Sequence, residues 1–202
     1  EALGFTARTA LAGDRLMLGS ILLTLLVVAG RVMPFFTQSA IAPARLRSSP
    51  VVERLGFGLA VPWVLADAGT LAGLPLGGLA AGLALTLALV QALRLAAWHD
   101  WRVWRVPILA VLYSGYVWLI LGLALNGLAH LGLVAPFPAL HALTVGVVGV
   151  FTLGMMSRVT LGHTGRPMQA SSALVLAFAA LNLAALVRVG ATLLWPASYG
   201  DW

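Results

Sequence analysis

HALTVGVVGVFTLGMMSRVTLGHTGRP, residues His141 to Pro167, opens on a histidine behind a proline-containing turn and then runs apolar for about five helical turns. It closes on Arg158, Thr160, His163, Thr164 and Arg166, an unusually polar group for this chain. An apolar run of that length ending in charges reads as a membrane-spanning helix with a water-side end. The composition says the same of the whole chain, which is 61% apolar and only 9% charged. A soluble domain carries about 25% charged residues, so most of this surface must face something other than water. The expected fold is an all-α polytopic transmembrane helical bundle, a single domain over residues 1–202. The net charge of +6 comes from arginine alone. In so apolar a chain that charge concerns topology and buried groups, not nucleic acid. No cysteine is present, which removes disulfides, thiolate metal sites and cysteine nucleophiles.

Working outward, the hydropathy pattern predicts about six spans, since a hydrocarbon core of ~30 Å needs ~20 helical residues. They run over 16–36, 55–74, 79–98, 107–131, 139–159 and 172–195. The first fifteen residues are amphipathic and end in Asp14 and Arg15, a water-side flank. The loops after the first, third and fifth spans carry Arg45, Arg47, Arg54, Arg102, Arg105 and Arg166, whereas those after the second and fourth carry no charge. The positive-inside rule therefore assigns the arginine-bearing loops to the cytoplasm, with Arg8 and Arg15 dissenting. Trp101 and Trp104 beside Arg102 and Arg105 read as an interfacial aromatic belt. Glu1 replaces an initiating methionine and the chain stops at Gly200-Asp201-Trp202, so a longer polypeptide is expected.

This topology sorts the four histidines. His130 and His141 face the outer side across a short turn, near enough to share a metal, while His99 and His163 lie on the cytoplasmic side. His141 and His163 are separated by ~33 Å of helix and cannot share one. Neutral imidazole is the usual haem and copper ligand, although His130 and His141 also read as interfacial helix caps. Asn126, one turn before His130, serves either to orient its ring or to bond a neighbouring helix. Intramembrane charges are costly unless paired or solvated. Arg31 lies in the first span, and Asp67 and Arg188 fall in the outer half of the second and sixth, where they are placed to pair with each other. Arg188 alternatively suits a haem propionate, a carboxylate that guanidinium binds in bidentate fashion. Met155 and Met156 are soft donors for copper, or simple packing. Gly146, Gly149 and Gly154 allow close approach of a helix or a macrocycle.

GRVMPFF at Gly30 to Phe36, together with the His141 to Pro167 stretch, resembles the NnrS family of bacterial inner-membrane proteins. The family is described as containing haem and copper and as part of the nitric oxide response. The resemblance implies a b-type haem, nitric oxide as a small-molecule ligand, and a chain corresponding to much of the C-terminal half of a roughly twelve-span protein. It marks His141 and His163 as the motif histidines and Arg31, Arg158 and Arg166 as the motif arginines. His130 lies outside both motifs.

Two classes of function follow. One is a haem-binding inner-membrane protein of nitric oxide metabolism or nitrosative-stress tolerance, with redox activity as an option, His141 as an axial ligand and arginines on the propionates. The other is a polytopic carrier of metal or small solutes, with Pro62, Asp67 and Arg188 lining a midplane site.

Overall fold

The computed structural model describes residues 2–44 and 46–195, with side chains from residue 6 onward. Arg45 of the basic loop and the terminal Gly200-Asp201-Trp202 lie outside the described residues. Helices account for nearly all of the described chain and no strand occurs among the described residues.

Helix α1 (Ala2–Ala40) is far longer than the 16–36 span expected from hydropathy. The amphipathic first residues continue the same helix instead of forming a separate flank, because no proline intervenes before Pro34. The second span is not one helix. It is α2 (Pro50–Gly58) followed by α3 (Ala60–Leu71), interrupted at Leu59. Pro62 has no N–H, so the carbonyl four residues back loses its helical partner there. Then come α4 (Gly77–Trp98), a short turn of 3-10 helix over Trp101–Arg105, and α5 (Pro107–His130). The fifth span runs unbroken through α6 (Phe137–His141), a π-helical stretch over Ala142–Gly149, and α7 (Val150–His163). Helix α8 (Ser172–Leu194) completes the order. Five helices are long and apolar enough to cross a membrane, and the expected second span is the shorter pair α2 and α3.

The core is built around α5, which packs on α4, α6, the π-helical stretch and α7. Glycine brings the axes together. A Cβ on Gly122 would meet Leu143 Cδ2 at 2.6 Å, and one on Gly146 would meet Trp118 Cγ at 2.6 Å. Gly154 lies against Val111 and Leu112 in the same way, while Gly149 faces Leu181 of α8. Close helix packing thus accounts for Gly146 and Gly154 of the long motif, while at Gly149 a Cβ would make only ordinary contact.

Both ends of the bundle are defined by bonds between distant segments. At the basic end, Arg47 N–H donates to the Ala97 carbonyl (2.9 Å), and Arg102 Nη2 donates to the Pro43 carbonyl (2.9 Å). The arginine-bearing loops that follow α1 and α4 therefore meet, as the charge distribution requires. At the opposite end α3 and α5 stop on glycines in the left-handed region, Gly73 at φ 95° and Gly132 at φ 72°. The N–H of the next residue reaches back to close each helix, Leu74 to Gly69 O and Leu133 to Leu128 O, both at 3.0 Å. A Cβ at either glycine would strain this reversal.

Candidate functional site

Three polar clusters interrupt the apolar interior. The first is at the uncharged-loop end, where α3, α5 and α1 converge. Asp67 is buried, and its Oδ1 lies 2.7 Å from His130 Nε2 and accepts from Asn126 Nδ2 (2.9 Å). Asn126 Oδ1 in turn accepts from Trp63 Nε1 (3.0 Å), and Arg15 Nη1 stands 4.0 Å from Asp67 Oδ2. This corrects the expected Asp67–Arg188 pair. Among the described residues Asp67 forms no ion pair with Arg188, because α3 packs on α1 and α4 and turns Asp67 to side chains of α5, while Arg188 lies exposed on α8. The choice for Asn126 is also decided: it bonds a neighbouring helix, and reaches His130 only through the shared carboxylate. With Asp67 ionised, Nε2 of His130 carries the proton and Nδ1 is the nitrogen a metal would take.

His141 sits on the other side of the same end. It terminates α6 and opens the π-helical stretch, half-buried and within electrostatic reach of Arg188 on α8. Helices α6 and α8 pack directly on each other. A π-helical segment widens the backbone locally and is frequent at functional sites. A cavity of ≈ 490 Å³ lies on the opposite flank of this segment, lined by Arg15, Leu18, Phe137, Leu140 and Thr144 among others, and its lining holds no histidine. His130 and His141 therefore have different neighbours. No group of three or more His, Asp or Glu side chains placed for a metal occurs among the described residues.

The remaining motif residues lie elsewhere. His163 and Arg166 are exposed at the basic end, one helix length from His141. Arg31 is exposed on the outward face of α1. Met155 packs against the core, whereas Met156 is 63% exposed, so the two sulfurs point in different directions. Arg158 is only 8% exposed and stacks over the Phe36 ring at 3.7 Å. This joins the two sequence motifs in space.

The second cluster was not anticipated from the sequence. Arg94 on α4 is fully buried, yet every part of its guanidinium is engaged. Nε and Nη2 donate to Glu53 Oε2 (3.1 and 2.6 Å), and Nη1 donates to Gln91 Oε1 (3.0 Å) and Tyr116 OH (3.2 Å). Gln91 bridges onward, accepting from Tyr116 OH (2.5 Å) and donating to the Gly56 carbonyl (3.0 Å). Phe57 and Trp98 each present a ring 4.7 Å from the guanidinium carbon. A Cβ on Gly30 would collide with Arg94 Nη2, and one on Gly56 would meet its Cδ at 2.9 Å. Both glycines are therefore part of the cradle. Glu53 borders a cavity of ≈ 340 Å³ at the basic end, shared with Gln38, Arg47 and Ser48. The available signal was a full charge and an amide three residues apart inside an apolar span, which is costly unless paired.

The third cluster is aromatic and marks the membrane interface. Trp104 Nε1 donates to His99 Nε2 (3.0 Å), and His99 also packs edge-on against Trp101 and Tyr113. Trp101 is 81% exposed, as a side chain at headgroup depth would be.

Helical crossings, paired intramembrane charges and an interfacial aromatic belt define a multi-pass membrane protein with a polar interior at both ends. Sequence comparison then narrows the class. The chain matches the NnrS protein family over residues 1–202 and belongs to it. Membership supports a membrane protein of the nitric oxide response. No match was found among curated proteins or among solved structures.

Proposed function

We propose that this chain is a haem-binding protein of the bacterial inner membrane acting in nitric oxide metabolism or nitrosative-stress tolerance. The observation that carries this reading is the family match over residues 1–202, and α6, which ends on His141, packs on α8, which carries Arg188. The donor set fits a haem: an imidazole in apolar surroundings for the iron, and a guanidinium on the adjacent helix for a propionate. A bound haem would supply a redox-active iron able to take a diatomic ligand such as nitric oxide. The chain's own part is to hold the imidazole at the head of the π-helical stretch, neutralise a carboxylate with Arg188, and keep water away with the apolar walls of α6 and α8. Copper and the histidines His130 and His163 belong to the same reading as further metal candidates, with His130 offering Nδ1. The carrier reading loses its main support, since Asp67 is committed to His130, Asn126 and Arg15 instead of Arg188.

The test is an optical spectrum and an extracted-haem assay on the detergent-purified chain, wild type beside His141→Ala. Loss of haem from a variant that elutes and melts like wild type supports the assignment. Full haem retention in that variant removes His141 as a ligand.

A further inference from the structure

Two arginines are buried among the described residues, and the fold treats them differently. Arg94 has a carboxylate, an amide and a hydroxyl within hydrogen-bond distance. Arg158 has none: its Nη1 is buried without a hydrogen-bond partner, and no carboxylate lies within 4.0 Å of it among the described residues. Stacking on Phe36 satisfies one face of the guanidinium but not its in-plane N–H groups. A buried charge lacking a counter-ion is strongly destabilising, whereas an oxyanion forked onto guanidinium relieves it.

We propose that Arg158 is the anchor of an oxyanion site at the basic end of the bundle, for a phosphate group carried by an anionic phospholipid or free in solution. Its depth matches a headgroup. Arg158 stands five residues before the end of α7 at His163, ~7.5 Å from the helix terminus. The end in question is the one that arginine distribution assigns to the cytoplasm, where anionic lipids concentrate. The site is separate from the haem proposed at His141. Seventeen residues of helix, ~25 Å, lie between His141 and Arg158, beyond the reach of a propionate on the same macrocycle.

The experiment uses the full chain, delipidated in neutral detergent, and follows thermal unfolding with phosphatidylglycerol, phosphatidylcholine or inorganic phosphate added. Wild type is expected to melt higher with phosphatidylglycerol and unchanged with phosphatidylcholine. At ~100 Kd of ligand the shift is about 5–10 °C. A shift reproduced by inorganic phosphate alone identifies a soluble anion as the source; one seen only with the lipid identifies the headgroup. Arg158→Gln is expected to lose the shift, Arg158→Lys to keep a reduced one, and Arg166→Gln, at an exposed position, to keep it whole. An unchanged shift in Arg158→Gln, or no response of wild type to either anion, overturns the proposal. If Arg158→Gln does not fold, the wild-type response and the Arg158→Lys reduction decide the matter.

Discussion

Removing the Glu53 side chain is the most informative single perturbation of this bundle. Arg94 has no solvent exposure, and Glu53 Oε2 receives two of its N–H groups at 3.1 and 2.6 Å. Glu53→Ala would leave Gln91 and Tyr116 on Nη1 but no countercharge within the cradle. Breaking a buried ion pair from one side costs about 3–5 kcal/mol. The Glu53 side chain is 29% exposed and borders a cavity, so water would partly replace it and the lower end applies, about 3 kcal/mol. For a chain of this length that corresponds to a fall in Tm of roughly 6–12 °C. The assay is thermal unfolding in detergent, run as a double-mutant cycle with Arg94→Met. If the pair is coupled, Glu53→Ala with Arg94→Met loses much less than the sum of the singles. A fall below about 1 kcal/mol for Glu53→Ala, or simple additivity in the cycle, would refute the reasoning.

Three further outcomes are expected. Asp67→Ala deprives Asn126 Nδ2 and His130 Nε2 of their acceptor and should lower stability by about 1–3 kcal/mol in the same unfolding assay. Gly146→Val drives a branched side chain into Trp118, whose Nε1 also bonds Asn182 of α8 (3.1 Å), so a loss of about 1–3 kcal/mol with a changed tryptophan emission is expected. At the water-exposed basic end, the Arg102 guanidinium hydrogen-bonded to Asp100 holds that carboxyl at about 2, against 3.8 for an ordinary aspartate. A depressed folded-state pKa stabilises above the unfolded value and is lost as pH falls. Unfolding between pH 4 and 2 should therefore be less pH-sensitive in Asp100→Asn than in wild type.

The spans were legible because hydropathy is a local property, read over ~20 residues at a time. Five of the six expected spans are helices long and apolar enough to cross a membrane, the second being the split pair α2 and α3, and the loops bearing Arg47 and Arg102 meet at one end. Even the break in the second span follows from a local cause, the missing N–H of Pro62. Family membership was legible too, from the two motifs that Arg158 and Phe36 bring into contact.

Which buried charge meets which partner was decided by the tertiary structure alone. Asp67 pairs with His130, 63 residues away, and Arg94 with Glu53, 41 residues away. Depth along a helix can be counted from the sequence. Rotation about the helix axis cannot be counted in that way, because it is set by how neighbouring helices pack. That packing points Asp67 at Asn126 and His130 of α5, and seats Arg158 over Phe36 with no carboxylate within 4.0 Å among the described residues.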